Sequence, residues 1–287
     1  MGGNVFTGEA VESIPMEFIQ PTLAAYYQEL SVLFPQHSNF FKTFTTLGSV
    51  GKKSKSGDID LAVDVKKLFP QGRITIEDLQ SWNLNPALWR ETYEKMLKRA
   101  RTATPHEVSL RAFLYELSKY IGERSNLIKS DLKKVRPGQM FTLFPQITDF
   151  GQQMEVSVQI DWMLGDPEWL KFSYFSPMPS KTQPMLKGLH RTQLILAMFG
   201  AKGYAFRHVG GVFHKATGKK VAHSPSEASE LLQKLYETPV TTQKLECFST
   251  IYSFLTSSCS NDDQNGAFDS YLCILDYTNG NKEVDPS

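Results

Sequence analysis

With 287 residues, 41% of them hydrophobic and 21% charged, the chain has material for two domains or one large one with a sizeable core. A formal charge of +1 gives no overall attraction to polyanions. The three cysteines, Cys247, Cys259 and Cys273, lie far apart, which argues against a disulfide framework or a cysteine-rich zinc site and suits a reducing compartment.

The opening residues MGGNVFT place Phe6 where a myristoylation signal needs Ser or Thr, and they lack the basic flank and apolar core of a signal peptide. Apolar runs such as Leu194 to Phe199 are too short to span a bilayer. A cytoplasmic protein without a membrane partner is expected. Val11 to Phe34 carries apolar residues at helical spacing, interrupted by Pro15 and Pro21, and reads as one or two helices. Phe41 to Leu47 reads as a short strand, with Phe40, Phe41 and Phe44 as core.

Next comes LGSVGKKSKSGDIDLAVDV, Leu47 to Val65. Gly48 and Ser49 open a loop holding Lys52, Lys53 and Lys55, and Asp58 and Asp60 alternate with Ile59, Leu61, Val63 and Val65. Alternation on a strand puts both aspartates on one face and the aliphatic residues on the other. Their Cα atoms are then about 6.6 Å apart, a separation able to bridge two divalent ions about 3.5 to 4 Å apart. A P-loop is excluded, because Thr46 stands where its first Gly is needed and Lys53 where its Ser or Thr is needed.

From Thr75 to Gly122 the pattern is helical: Ile76 to Trp82, Pro86 to Arg101 and Pro105 to Ile121 each start near a Pro or a polar cap. The basic stretch SNLIKSDLKKVRPG reads as a surface connection. In Glu155 to Met163 the apolar face is Val156, Val158 and Ile160, leaving Ser157, Gln159 and Asp161 on the other. Asp161 is therefore a candidate third carboxylate, with Asp149 or Glu155 as alternatives. Asp64 lies about 13 Å along the strand from Asp60, and Asp166 before Pro167 reads as a helix N-cap. Asp149-Phe150-Gly151 matches the kinase magnesium motif, but the other kinase motifs are missing.

The last third reads as helical. Met185 to Ala201 is an amphipathic helix, and Tyr204 to His214 with Lys219 to Ala222 forms a hairpin turning at Thr217-Gly218. Ser224 to Glu227 is a capping box opening a helix to Glu237, Gln243 to Leu255 is a further helix, and the acidic tail after Ser257 reads as partly loose. From Lys181 to Ser224 there are eight Lys or Arg, no Asp or Glu, and four of the six histidines. Lys202, Arg207, Lys215, Lys219 and Lys220 in this tract are candidates for gripping a phosphate backbone. His208, His214 and His223 match no common zinc spacing.

The Gly48-Ser49 turn followed at about ten residues by Asp58 and Asp60 resembles the signature of the DNA polymerase beta superfamily of nucleotidyltransferases. The resemblance covers Phe41 to Val65 and, less closely, Val156 to Met163. It implies an α/β (α+β) catalytic domain over residues 1–178, with a helical insertion at about 75–138 lengthening the gap between Asp60 and Asp161. A mostly helical, basic domain with a short hairpin follows over 179–287. The resemblance further implies two Mg²⁺ or Mn²⁺ ions held by Asp58, Asp60 and Asp161, and a nucleoside triphosphate contacted by Gly48, Ser49 and the loop lysines. The reaction implied is transfer of a nucleotide to an acceptor hydroxyl on RNA or DNA, or else on a protein or small molecule; an inactive scaffold is the remaining alternative.

Overall fold

A computed structural model describes residues 5–100, 103–177, 188–208 and 210–280. The chain divides into two compact units, Met1–Pro167 and Glu168–Ser287. The expected boundary after residue 178, the helix start at Met185, and Lys181 and Lys187 of the basic tract fall outside the described residues.

The first unit is mixed α/β. β1 (Ile14–Pro15) leads into α1 (Met16–Leu33), whose buried Ile19, Leu23, Tyr26 and Leu30 recur at three and four residues and form one stripe. Pro21 does not break it. Lying early in the helix, it removes a single hydrogen bond, that to the Glu17 carbonyl. The expected strand from Phe41 is shorter than its apolar content suggests: Phe41 closes a one-turn helix, α2 (Ser38–Phe41), and only β2 (Thr45–Thr46) is extended. The phenylalanines are core, as expected, with Phe41 and Phe44 buried beside Trp82 and Trp162.

β3 (Lys55–Ser56) pairs with β1, which takes Lys55 out of the loop. β4 (Ile59–Asp64) follows, then α3 (Val65–Leu68), capped by the Asp64 carboxylate accepting from the Lys66 and Lys67 amides. α4 (Ile76–Ser81) and α6 (Pro105–Arg124) open with capping boxes at Thr75/Asp78 and Thr104/Glu107, and α5 (Pro86–Arg99) opens with Asn85 as cap. These are the helices expected in the insertion, apart from their ends.

The basic stretch after them is more than a connection. Ile128 and Val135 are buried, and β5 (Lys129–Ser130) joins the main sheet through β6 (Gln139–Ile147). β7 (Gln153–Gly165) completes a five-stranded sheet in the order β2-β4-β7-β6-β5, in which only β4 and β7 run parallel. A parallel neighbour requires a long crossover. Residues 65 to 152, which carry α3 to α6 and the two antiparallel strands β5 and β6, supply it.

The second unit runs α7 (Pro167–Ser173), α8 (Gly188–Ala201), the meander β8 (Tyr204–Arg207), β9 (Gly211–His214) and β10 (Lys220–Ala222), then α9 (Pro225–Tyr236), α10 (Phe248–Ser258) and α11 (Asn261–Thr278). Tyr204 to His214 thus carries two strands rather than one arm; Gly211, at φ +109°, would bring a Cβ into the Ala222 carbonyl. Ser224 caps α9 as expected, whereas Gln243–Leu245 is a separate single turn ahead of α10. Of the tail after Ser257, residues 281–287 fall outside the described residues, and Asn261–Thr278 is helix rather than loose chain. Ser260 caps it, Asp262 and Asp263 sit in its positive first turn, and its buried Ala267 and Ile274 belong to a helix that packs on α8. No helix among the described residues is long and apolar enough to cross a membrane.

Candidate metal and nucleotide site

Asp60 and Asp161 are direct partners across the parallel β4–β7 pair, so their side chains leave the sheet on one face. Asp58 lies in a bend just before β4 rather than within it, yet its carboxylate joins them: one oxygen from each of the three lies within 4.8 Å of the others. Among the described residues this is the only group of three His, Cys, Asp or Glu side chains close enough to share a metal ion. The alternatives separate cleanly. Asp149 and Glu155 are exposed, Asp149 in the turn joining β6 to β7; Asp64 caps α3, and Asp166 is ion-paired with Lys66 at 3.0 Å.

The cluster is electrostatically costly as it stands. Burial, with repulsion from Asp58, pushes Asp60 up to about 7. Burial and the charges of Asp60 and Asp58 hold Asp161 well above the usual carboxylate range, and burial raises Asp58. Asp161 is 4% exposed, and its Oδ1 has no hydrogen-bond partner. Clustered oxygen donors, one of them buried and unsatisfied, fit a hard divalent cation, which would relieve the repulsion and fill the vacant acceptor.

The strand carrying Asp161 is held on both sides of it. Thr142 Oγ1 donates its one hydrogen to the Ile160 carbonyl at 2.8 Å, so in the 3.0 Å contact with Tyr26 the phenol must be the donor. Tyr26 Oη in turn accepts from Trp162 Nε1 at 2.8 Å. A single directed chain from Trp162 through Tyr26 and Thr142 to Ile160 thus ties the residues flanking Asp161 to α1 and β6.

The Gly48-Ser49 turn is fastened next to the carboxylates, because the Leu47 amide donates to the Asp60 carbonyl at 2.9 Å. Gly48 has φ +63°, which favours glycine there, and the turn closes with Lys52 N–H donating to the Ser49 carbonyl at 3.0 Å. Lys52 is half-buried and its ammonium pKa is lowered by burial, whereas Lys53 and Lys55 are exposed.

The basic tract is less available than its composition suggests. Lys202 pairs with Asp263 of α11, and Arg191 is buried, with Nε donating to the Leu245 carbonyl, Nη1 to that of Phe172, and Nη2 without a partner. The Arg207 guanidinium stacks over Phe213 at 4.4 Å. Lys215 and Lys219 are exposed on the β9–β10 turn, with Lys220 at the start of β10. His208, pushed down to about 4 by burial, does not converge with His214 and His223 on a metal site.

No protein-family model matches the chain, and no curated protein sequence does either. Among solved structures it is similar to Leishmania infantum polymerase beta in a ternary P/T complex, with TM-score 0.36, 14% identity, and coverage of 89% of this chain and 77% of that one. The ternary gap complex of the same protein matches with TM-score 0.31, 15% identity, and coverage of 91% and 68%. Both likenesses are distant.

Proposed function

We propose that the chain is a metal-dependent nucleotidyltransferase, moving a nucleoside monophosphate from a triphosphate to an acceptor hydroxyl. The observation that carries this reading is the convergence of Asp58, Asp60 and Asp161, with the buried Asp161 Oδ1 unpartnered. Two divalent ions bound there would stabilise charge on the attacking and leaving oxygens of an in-line displacement at phosphorus. Asp58 and Asp60 would hold both ions, and Asp161 would serve the one on the acceptor side. The Gly48-Ser49 turn, tied to Asp60 by the Leu47 amide, offers backbone and hydroxyl donors to the triphosphate, and the half-buried Lys52 offsets its charge.

The acceptor is where a second reading has support. With Lys202 and Arg191 engaged inside their own unit, the exposed Lys215 and Lys219 are the described residues of the tract best placed for a nucleic-acid backbone, with Arg207 and Lys220 as further candidates, which is a modest footprint. A hydroxyl on a protein side chain or small molecule fits as well. Incubating the protein with each α-labelled nucleoside triphosphate, Mg²⁺ or Mn²⁺, and separate pools of RNA, DNA, protein and hydroxyl-bearing small molecules decides between them. Label should enter one pool only and only with the metal; no labelled product in any pool with either ion would refute the transferase reading.

A further inference from the structure

Gln159 is 2% exposed and lies two residues before Asp161 on β7, so both side chains share a face. Its Nε2 donates to Asp161 Oδ2 at 3.0 Å, and its Oε1 accepts the Val5 amide hydrogen at 2.8 Å. The second bond fixes the first. Only an oxygen can accept from Val5 N–H, so the amide nitrogen must face Asp161. The Val5 segment is itself secured: Phe6 packs on Phe141 and Leu143, and Ser157 exchanges backbone hydrogen bonds with Ala10 and Glu12.

We infer that Gln159, oriented by the Val5 amide, is a positioning residue that occupies Asp161 Oδ2 and so reserves Oδ1 for a divalent cation. Without that bond, the Asp161 carboxylate could rotate and share its charge between two orientations, and the entropy of ordering it would fall on cation binding. Partners that orient a ligating carboxylate typically change metal affinity by about 10- to 100-fold when removed. The inference rests on the transferase reading for the identity of the reaction, but not for the presence of the cation.

The test is calorimetric titration of the full chain with Mn²⁺ in the absence of nucleotide, comparing wild type, Gln159→Met and Gln146→Met. Gln146 is an equally buried glutamine of the same sheet, whose Nε2 donates to the Glu12 carbonyl at 3.0 Å and touches no carboxylate of the site. It is therefore the control for a merely structural role. The expected result is Mn²⁺ affinity at least about 10-fold weaker in Gln159→Met and unchanged in Gln146→Met, whatever either does to the melting temperature. If Gln159→Met does not fold, Val5→Pro, which removes the orienting amide hydrogen while leaving Gln159 and the three aspartates unchanged, should still weaken Mn²⁺ binding by about 3-fold or more. Equal affinities in wild type and Gln159→Met, equal losses in Gln159→Met and Gln146→Met, or an unmoved affinity in Val5→Pro would overturn the inference. Mn²⁺ binding by wild type with no nucleotide transfer would sink the transferase reading and leave Gln159 in its role. In an active enzyme Gln159→Met should lower kcat while leaving the triphosphate KM nearly unchanged, since Asp161 serves the acceptor side.

Discussion

The two units handle charge in opposite ways. In the first, the carboxylates of Asp58, Asp60 and Asp161 are gathered beside β4 and β7, their pKa values raised and Asp161 Oδ1 unpaired. In the second, part of the charge that looked available in the sequence is answered from within: Lys202 by Asp263, and Arg191 by two backbone carbonyls. Folding gains from the second arrangement and is opposed by the first, so the first is where an external ligand is needed.

The largest effect that would break this comparison is on activity. Asp58→Asn, Asp60→Asn and Asp161→Asn should each lower nucleotide transfer by about 10³-fold, near the upper range for loss of one preorganised electrostatic group. Asp60→Asn should at the same time make the metal-free protein more stable at pH 7.5, by about 1 kcal/mol or more, because it removes a raised carboxylate. Kinetics and chemical denaturation on the same preparations check both, and a variant that lost activity by unfolding would violate the second.

Next in size is the polar chain beneath the site. Tyr26→Phe deprives the buried Trp162 Nε1–H of its acceptor and Thr142 of its donor, and should cost about 1–3 kcal/mol in urea denaturation.

A third way to sharpen the comparison is pH. Asp60 and Asp161 hold protons in the folded, metal-free protein that they lose in the unfolded chain, where an aspartate titrates near 4. Their contribution to stability is full below about pH 4 and is lost as pH rises through the folded value of about 7 for Asp60. Metal-free stability should therefore fall between pH 5 and 7, with a slope of up to about 1.4 kcal/mol per pH unit for each proton held. Denaturation at a series of pH values with a chelator present should show this slope, and saturating Mn²⁺ should flatten or reverse it.

The smallest effect separates the lysines. If the acceptor is nucleic acid, replacing Lys215, Lys219 and Lys220 together by Ala should lower the salt dependence of binding by about two units, whereas Lys202→Ala should leave it unchanged. Because Lys202 pairs with Asp263 at a partly exposed site, its loss should cost at most about 1 kcal/mol of stability. An equal change in salt slope for Lys202→Ala would return that residue to the acceptor surface.

The pattern of legibility follows the same division. β4, β7 and their aspartates could be read because each strand alternates polar or acidic with aliphatic residues, and side-chain alternation is a local property. The three insertion helices could be read from their caps. β6 was not anticipated: in QMFTLFPQI the apolar Met140, Phe141, Leu143, Phe144 and Ile147 recur at helical rather than alternating spacing, and Pro145 interrupts the run, so the segment lacks a strand's signature. The Lys202–Asp263 pair joins residues 61 apart, and no local pattern announces it. Aspartates in the tail suggested loose chain, although in the first turn of α11 they stabilise the helix. Gln159 carried no signal beyond sharing a face with Asp161, because its role depends on an amide more than 150 residues away.

The central claim is that Asp58, Asp60 and Asp161 support nucleotidyl transfer, and the most direct test follows the two ends of the triphosphate. Parallel reactions with α-labelled and γ-labelled nucleotide in Mg²⁺ should place the α label on the acceptor and the γ label in released pyrophosphate, with both signals lost in Asp60→Asn. The γ label on the acceptor, or α-label transfer at wild-type rate in a folded Asp60→Asn protein, would contradict the account.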